Sequence, residues 1–588
     1  MSTSTRPIAD APLRWFAGVL AVGWLLPLHV EPVASFYSEW LVGAALILAS
    51  LFTLRAGARA GVTTDSVWRM PLSSVWMFPL LLVATLQLAL GRLPNAETWF
   101  YGLLYTLAWF TTSVLAGANA RTHGQEATMA PLAWALVIAS GLSALIQVVQ
   151  LIGWDNYLDP FIFPSNLAVP GRPYANIGQP NLVTTLHALA IGAAAWLWLV
   201  GRTTGTKSAL LVLLSVLGMG IATSRTGLTY LFWFVVAAHL VRLDDPVKRS
   251  RIRLFAWIIV PGLLIAFFFL MPPTFAWLHG IELKVRLLNF NSSPRVILNH
   301  VSLAALDVKP WLGWGVGGYS EAFFSNLTST TFIGLYPSHH AHNIFLELAV
   351  EFGWPAFVVF MLLALAHMIT AIAKLQRSPT VVLVVCVLGI LLTHSQFEFP
   401  LWYLHFFLAF AWCLACIDPQ SITFKRPRQG VPMAQLALII CLALAGKIWI
   451  DFWDASNRLQ RYFELDGEAR AFDHPIGPLN AFASLHHYID HAWTPLNLPL
   501  SAEELAWRRS ATARRPFPLP LLKLIVAEQL RGHGEEARRL RRLFDQLYDL
   551  RADEARSYMQ KACTELNVQA FCALAEPTKG LGQRSPEN

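Results

Sequence analysis

Long apolar segments, separated by short polar ones, fill most of the chain up to about residue 450. A helix needs roughly 20 apolar residues to cross the hydrocarbon core of a bilayer, because its backbone polar groups must be satisfied within the segment. The pattern predicts about thirteen spanning helices, near residues 13–29, 37–54, 74–91, 98–118, 130–153, 181–201, 208–222, 227–242, 254–271, 353–373, 379–394, 401–417 and 432–450. The polar leader before the first helix lacks a small-residue cleavage site, so we expect this helix to be retained.

Lys and Arg are distributed unevenly between the predicted loops. Short cytoplasmic loops of membrane proteins carry the excess of positive charge. With the N-terminus inside, the cytoplasmic loops hold Arg55, Arg59, Arg69, Arg121, Arg202, Lys207, Lys248, Arg249, Arg251, Arg253, Lys374, Arg377, Lys425, Arg426 and Arg428. The short loops on the other side carry few cations, namely Arg92, Arg172 and Arg225. An odd number of helices then places the segment from Asp451 onward outside.

The composition supports a membrane protein and excludes several other classes. Of the 588 residues, 55% are hydrophobic and only 14% are charged, whereas a soluble domain carries about 25% charged residues. The 23 Trp also favour membrane–water interfaces. A disordered chain, a disulfide scaffold and a soluble nucleic-acid-binding protein are excluded, and we attribute the net charge of +8 to membrane topology. The sequence therefore predicts an all-α, polytopic helical bundle in the lipid bilayer.

Three of the predicted outside segments are long, and loops of such length are usually functional or separately folded. They comprise residues 154–180, 272–352 and 451–588. Gly532 and Gly534 interrupt the tail's helical pattern, which predicts a helix hairpin resembling a tetratricopeptide pair. One pair is too little to predict a repeat array. We divide the chain into N-terminal membrane helices, a large outside loop, C-terminal membrane helices and a small helical tail domain, at residues 1–271, 272–352, 353–450 and 451–588.

The six cysteines fall into two groups. Four lie in or at the ends of predicted spans and are expected to act as small hydrophobic residues, namely Cys386, Cys413, Cys416 and Cys441. The CxxC among them has no second pair or His beside it, so we expect no metal site there. Cys563 and Cys572 lie in the tail. In an oxidising compartment they would form a disulfide, and both the oxidised and the reduced state stay open.

A first polar cluster, GRPYANIGQPN, occupies residues 171–181 at the outer mouth of the sixth predicted helix. Arg172, Asn176, Gln179 and Asn181 supply its hydrogen-bonding groups. Asn and Pro are also ordinary residues at the beginning of a helix. An Arg and three amides at the membrane surface nevertheless favour a site for an anion and a sugar.

A second cluster, TSRTG, forms the very short outside turn at residues 223–227. Arg225 is thereby held at the bilayer boundary, where charged groups often mark substrate paths. A guanidinium suits bidentate phosphate binding, although a snorkelling Arg at a helix end is common. Together with Arg172 on the same side, Arg225 predicts a diphosphate clamp.

The large outside loop carries a third cluster, which contains glycines and histidines. The segment PWLGWGVGGYSEAF lacks the Lys-Ser/Thr of a phosphate loop and the spacing of a dinucleotide fingerprint. His339, His340 and His342 follow in HHAHN, and imidazoles can bind a metal. Without HExxH, we favour a general base, because a neutral imidazole accepts a proton near pH 7. Glu347 and Glu351 either orient His342 or merely cap and solvate the next helix.

The fourth cluster, HSQFEFPLWYLHF, forms the outside corner at residues 394–406. Glu398 is an acid in apolar surroundings, and Trp402 is typical of an interfacial aromatic belt. The Tyr403 hydroxyl would reach a sugar or a phosphate. All four clusters are expected on one side of the membrane, whereas a transporter places its polar groups near the midplane.

The order of ANIGQPN, TSRTG, GWGVGGY, HxHNxFLELxxExG and QFEFPLWY resembles the bacterial protein O-oligosaccharyltransferases of the pilin-glycosylase type. These belong to the wider O-antigen ligase and polymerase superfamily. The combination of the GQPN and EFPLWY motifs resembles the enzymes that transfer glycans to proteins more than those that transfer glycans to lipopolysaccharide. The resemblance implies a GT-C-like fold in the inner membrane, with the C-terminal domain and the active site in the periplasm. It also implies transfer of a preassembled oligosaccharide from undecaprenyl diphosphate to Ser or Thr of a periplasmic, pilin-like protein.

The resemblance also implies roles for individual residues. His342 would be the base that deprotonates the acceptor, without a cofactor or a metal, in an inverting displacement. The residues implied for the donor diphosphate are Arg172, Arg225, Arg286 and Arg295. Those implied for substrate placement are Asn176, Gln179, Asn181, Glu398 and Tyr403. Those implied for a supporting role beside the base are His339, Asn343 and Glu347. The expected partners are the lipid-linked donor, the acceptor protein and the bilayer, without nucleic acid. Two alternatives stay open: an O-antigen ligase or polymerase, and a transporter of lipid-linked sugars.

Overall fold

A computed structural model shows that the described part of the chain is predominantly helical. It describes residues 10–59, 67–93, 96–165, 172–280, 294–327, 338–375, 378–425, 429–464, 480–493, 500–548, 552–566 and 574. Within these ranges the helices are α1 (Asp10–Leu25), α2 (Phe36–Arg59), α3 (Phe78–Ala89), α4 (Ala96–His123), α5 (Gln125–Leu151), α6 (Pro180–Leu199), α7 (Gly205–Ile221), α8 (Thr226–Leu240), α9 (Pro246–Leu254), α10 (Val260–His279), α11 (Pro294–Val308), α12 (Tyr319–Asn326), α13 (Ile344–Phe352), α14 (Trp354–Leu375), α15 (Thr380–His394), α16 (Leu404–Ile417), α17 (Gly430–Glu464), α18 (Ala483–Trp493), α19 (Ala502–Arg514), α20 (Pro518–Leu530), α21 (Gly534–Leu547) and α22 (Ala552–Leu566).

The helices confirm the predicted polytopic membrane fold. A helix lies at each of the thirteen predicted positions, in α1 to α8, α10 and α14 to α17. Among the described residues, seven stretches are long and apolar enough to cross a membrane, by length and composition: Phe36–Ala56, Leu72–Ala89, Gln125–Leu151, Pro180–Leu199, Pro246–His279, Trp354–Leu375 and Gly430–Arg461. The stretch Pro246–His279 is longer than predicted, because a π-helical turn at Phe255–Ile259 joins α9 to α10.

A short antiparallel strand pair connects two segments that are far apart in the sequence. Strand β1 (Val67–Pro71) pairs with strand β2 (Ser421–Lys425), and Val67 lies opposite Lys425. The Asp418 carboxylate, just before β2, accepts a hydrogen bond of 2.7 Å from the Ser73 backbone N–H. The connection between α2 and α3 is thereby fixed to the connection between α16 and α17. The hydrophobic pattern predicts no strand at either place.

The described residues form two compact units, of which the first holds most of the apolar helices. It comprises Met1–Leu81, Leu103–Phe290 and Val359–Trp449. Helix α6 is apolar on all sides and almost completely buried, and it packs against α5, α7, α8 and α15. A Cβ at Gly218 of α7 would lie 2.3 Å from His187 Nε2 of α6, so the close packing of these two helices requires a glycine. Helix α6 is therefore the fixed centre of this unit, and its first residues belong to the first polar cluster.

The second unit combines most of the outside loop with the tail. It comprises Leu82–Gly102, Asn291–Val358 and Ile450–Asn588. Buried apolar side chains from α11 to α13 share one core with buried side chains from the tail helices. Such a shared core means that the loop and the tail stabilise each other.

The tail has the predicted helix hairpin. Helix α20 ends at Leu530 and α21 begins at Gly534, as the two glycines predicted. Gly532 has a φ of +81°, which a glycine adopts without strain. Cys563 of α22 is disulfide-bonded, so the oxidised state applies to this cysteine. The other tail cysteine of the prediction, Cys572, lies outside the described residues.

Candidate active site

Three of the four predicted clusters meet where α6 begins. Asn181, in the first turn of α6, donates a hydrogen bond of 3.2 Å from Nδ2 to Glu398 Oε1 of the fourth cluster. Its Oδ1 accepts a bond of 2.7 Å from the Ser224 hydroxyl of the second cluster. Arg172 Nη1 donates to the Thr223 carbonyl at 3.4 Å. The first unit therefore brings Arg172 beside the turn that carries Arg225, which is exposed.

A buried polar network lies one helical turn further along α6. The Thr185 hydroxyl lies 2.8 Å from the Tyr230 hydroxyl of α8 and 2.6 Å from His394 Nδ1 of α15. Polar side chains at membrane depth require partners inside the protein. Thr185 and Tyr230 were missed in the sequence analysis, although a hydroxyl residue in an apolar span is a usable signal.

Two amide side chains of α5 hold the segment that follows Arg172. Gln147 Nε2 donates a bond of 3.0 Å to the Pro173 carbonyl. Gln150 Oε1 accepts bonds of 3.0 and 2.7 Å from the backbone N–H groups of Tyr174 and Ala175. Sequence reasoning missed both glutamines, although two amides three residues apart in an apolar helix are a detectable signal. They fix the backbone from which Arg172 projects.

Asn176 and Gln179 differ sharply in their hydrogen bonding. Asn176 Nδ2 donates to the carbonyls of Leu25 at 2.8 Å and Phe161 at 3.0 Å, while its Oδ1 accepts from the Phe163 N–H at 2.9 Å. Both amide hydrogens of Asn176 are thus used in holding the loop, which favours a structural role over substrate placement. Gln179 precedes α6, and among the described residues its buried Oε1 has no hydrogen-bond partner. A buried acceptor without a partner is costly, so a substrate hydroxyl would be a favourable partner for Gln179.

Two carboxylates lie near Tyr403 of the fourth cluster. The Tyr403 ring stacks on Phe399, with ring centroids 6.0 Å apart and an interplanar angle of 14°. Glu398 is buried and interacts electrostatically with Tyr403, as does Glu39 of α2. The Glu39 carboxylate accepts bonds of 2.7 Å from the Ser35 hydroxyl and 2.8 Å from the Tyr105 hydroxyl. Glu39 is an acid that the sequence analysis overlooked, because it stands alone at the start of an apolar helix.

In the second unit, the histidine cluster is built around the start of α13. Asn343 caps this helix, since its Oδ1 accepts from the N–H groups of Phe345 at 3.0 Å and Leu346 at 3.3 Å. His340 Nδ1 lies 2.6 Å from Glu347 Oε1. Glu347 therefore holds His340, and its predicted role in orienting His342 stays a prediction.

The glycine-rich segment wraps the end of α13. The N–H of Trp314 donates to the Val350 carbonyl at 2.8 Å, and the N–H of Gly315 donates to the Glu351 carbonyl at 3.1 Å. Gly313 has a φ of +67°, and a Cβ there would lie 2.4 Å from the Glu351 carbonyl oxygen. The glycines of GWGVGGY thus permit a close backbone approach and do not form a nucleotide loop.

Glu351 is buried beneath this wrap and does not cap or solvate the helix. Burial and the neighbouring Glu347 raise the pKa of Glu351 well above its usual range, although the N–H groups of Gly317 and Tyr319 act in the opposite direction. Glu351 Oε2 has no hydrogen-bond partner among the described residues.

Left-handed backbone conformations coincide with the predicted clusters. Within the described ranges, the non-glycine residues with positive φ are Ala175 at 54°, Thr223 at 45° and His342 at 52°. Such conformations cost about 1–3 kcal/mol each and cluster at functional sites. One occurs in each of the first three clusters, which supports their assignment as functional.

Three further residues of the predicted site are Arg286, Arg295 and His339. Arg295 is half-buried in the first turn of α11, in the second unit with the histidines, and Arg286 lies outside the described residues. His339 is exposed, with its ring edge-on to Phe517 at 6.0 Å. Across the described part of the chain, no group of three His, Cys, Asp or Glu residues is arranged to hold a metal ion.

Two protein families and two bacterial proteins are similar to large parts of this chain. Residues 184–361 match the family described as O-antigen ligase, and residues 382–562 match the family described as the C-terminal part of a virulence factor membrane-bound polymerase. A general O-oligosaccharyltransferase of Acinetobacter baylyi is 24% identical over 455 residues, which cover 74% of this chain and 75% of that protein. A ComP-specific O-oligosaccharyltransferase of the same organism is 21% identical over 397 residues, which cover 67% of this chain and 70% of that protein.

Proposed function

We propose that the chain is a member of the O-antigen ligase superfamily and that it moves a preassembled oligosaccharide from a lipid-linked donor to protein hydroxyls. The similarity to two O-oligosaccharyltransferases over at least two thirds of each carries this proposal. The finer proposal is that undecaprenyl diphosphate carries the glycan and that Ser or Thr of a periplasmic, pilin-like protein accepts it. The distribution of Lys and Arg supports an inner-membrane protein with its active site in the periplasm.

The arginines of the first unit suit the leaving group. When the bond between the anomeric carbon and the diphosphate oxygen breaks, the electron pair and the negative charge pass to the diphosphate. Fixed guanidinium groups stabilise such developing charge. Arg172 contacts the backbone two residues before Arg225, which supports joint binding of one diphosphate by these two side chains.

The histidine cluster suits the acceptor. An imidazole takes the proton of the Ser or Thr hydroxyl while the hydroxyl oxygen bonds to the anomeric carbon. His342 is the residue that the resemblance implies for this step. The displacement inverts the anomeric configuration, and no covalent intermediate with the protein is required.

The polar groups near Tyr403 suit the glycan. Sugar hydroxyls need both donors and acceptors, which Tyr403, Asn181 and the unpaired Gln179 oxygen supply. An aromatic ring beside carboxylates also offers an apolar face to a sugar ring. We therefore assign Gln179, Asn181 and Tyr403 to donor or acceptor placement.

Reconstitution of the full chain in liposomes tests the proposed function. The assay combines an undecaprenyl-diphosphate-linked oligosaccharide with either a pilin-like protein or lipid A-core, and mass spectrometry identifies the product. We expect the protein to gain the intact glycan in one step. Transfer to lipid A-core alone would identify an O-antigen ligase instead. Movement of the donor across the bilayer without transfer to either acceptor would identify a transporter.

A further inference from the structure

A buried histidine of α6, His187, begins a chain of hydrogen bonds that leads to the segment carrying Arg172. Its Nε2 lies 2.8 Å from Gln147 Oε1 of α5, and its Nδ1 lies 2.8 Å from the Ser140 hydroxyl. His187 and Gln147 are both completely buried. Polar side chains inside membrane helices are costly, and they often mark functional sites. None of these three residues was singled out by the sequence motifs.

The amide group of Gln147 joins two backbone segments. Its Nε2 donates at 3.0 Å to the carbonyl of Pro173, the residue after Arg172. The same Nε2 donates at 3.2 Å to the carbonyl of Gly218, in the last turn of α7 and just before the turn that carries Arg225. One amide therefore connects the backbone beside Arg172 to the backbone that leads into Arg225.

The hydrogen-bonding capacities of these groups fix the orientation of the amide. Carbonyl oxygens only accept, so the two backbone carbonyls require the nitrogen of Gln147, and its oxygen then faces His187. Because that oxygen also only accepts, His187 Nε2 must carry a hydrogen. The ring is confined in this position, since a Cβ at Gly218 would lie 2.3 Å from His187 Nε2. Without the His187 donor, the buried Gln147 oxygen would lack a partner or turn towards the two carbonyls, and both states are costly.

We propose that His187 and Gln147 are positioning residues that set the spacing of Arg172 and Arg225 for the diphosphate of the lipid-linked donor, an inference that rests on the proposed function. His187 orients the Gln147 amide, and this amide holds the two backbone segments at a fixed separation. Binding of one diphosphate by both guanidinium groups depends on that separation, because charge-assisted hydrogen bonds are short and directional. Both residues act through the backbone and not by contact with the donor.

The test measures the Kd of undecaprenyl diphosphate and the kinetics of glycan transfer, with the full chain in liposomes. The two variants are His187→Gln, whose amide lies near the former Nε2 position, and His187→Asn, whose amide lies near the former Nδ1 position. We expect His187→Gln to keep the hydrogen bond to Gln147 and the wild-type affinity. We expect His187→Asn to lose that bond and to raise the Kd and the donor KM about 10-fold, with an unchanged acceptor KM.

Ser208→Ala is the matched control. The buried Ser208 hydroxyl of α7 donates to the Ala194 carbonyl of α6 at 2.8 Å, so this variant also removes a buried hydrogen bond between two helices of the same unit. It should leave the Kd and the donor KM unchanged. Thermal unfolding of each variant checks the fold. If His187→Asn does not fold, Gln147→Met replaces it, because methionine keeps the length of the side chain and lacks the amide.

Equal affinities for undecaprenyl diphosphate in the two His187 variants, whether unchanged or reduced, overturn the inference. So does an unchanged Kd in Gln147→Met, or an equal loss of affinity in Ser208→Ala. A wild-type chain that binds the diphosphate but transfers no glycan to protein overturns the proposed function, while the Kd values of the variants still decide the inference. A wild-type chain that does not bind undecaprenyl diphosphate overturns both.

Discussion

Asn181 and Glu398 are 217 residues apart in the sequence, yet their side chains are joined by a hydrogen bond of 3.2 Å. The same Asn181 accepts the Ser224 hydroxyl at 2.7 Å. One amide side chain therefore connects three polar clusters that the sequence shows only as separate motifs.

Glu398→Ala should lower both stability and transfer. The substitution leaves the half-buried Asn181 amide without this acceptor, which costs at most about 1–3 kcal/mol. We expect a lower unfolding temperature in detergent and a reduced transfer rate. Glu398→Gln retains an acceptor oxygen and should lose less of both. Equal losses in the two variants would show that the charge of Glu398 matters and the hydrogen bond does not.

Arg225→Lys should weaken donor binding although it keeps the positive charge. Lysine cannot bind a phosphate through the two-pronged geometry of a guanidinium. The loss of one charge-assisted hydrogen bond corresponds to an increase in donor KM of about 10-fold or more. Initial rates at varied donor concentration measure this change. The control is Arg202→Lys, an exposed residue before α7, and an equal effect there would contradict a specific role of Arg225.

Gly313→Ala should destabilise the second unit through a direct clash. Gly313 has a φ of +67° and its added Cβ would lie 2.4 Å from the Glu351 carbonyl oxygen. Gly532 has a φ of +81°, but an added Cβ there meets no atom within 4 Å. Gly532→Ala is therefore the matched control for backbone strain alone. We expect Gly313→Ala to lower the free energy of unfolding, measured with denaturant, by at least about 1 kcal/mol more than Gly532→Ala does. Equal losses in the two variants would contradict the close packing at Gly313.

Glu351→Gln should change how stability depends on pH. The pKa of Glu351 is raised in the folded state by burial and by Glu347. A raised carboxyl pKa means that stability is lost as the pH rises from the ordinary value through the raised one. The variant has no such charge, so its unfolding temperature relative to wild type should be higher at pH 8 than at pH 5. The exposed Glu535→Gln serves as the control, and the same trend in it would argue against Glu351 as the cause.

The sequence was sufficient for the helices and for the grouping of the clusters in the first unit. Apolar segments of spanning length have few alternatives to a helix in a bilayer. Successive spans alternate in direction, so the turns that carry Arg172, Arg225 and Glu398 had to face the same side. The helix hairpin of the tail could also be predicted, because Gly532 and Gly534 interrupt a helical pattern.

Other contacts in the structure could not be predicted, because neither partner's own segment of sequence indicates the other. Strands β1 and β2 are five residues each and lie about 350 residues apart, so nothing in either segment indicates its partner. The contact between His340 and Glu347 joins residues on either side of the left-handed turn at His342. Such a turn by a non-glycine residue is set by the surrounding structure.

The common core of the outside loop and the tail limits how this protein can be altered. A chimera that exchanges the tail alone would remove half of that core and leave the apolar faces of α11 to α13 exposed to water. Any exchange intended to redirect the choice of acceptor must therefore transplant the loop and the tail as one matched pair.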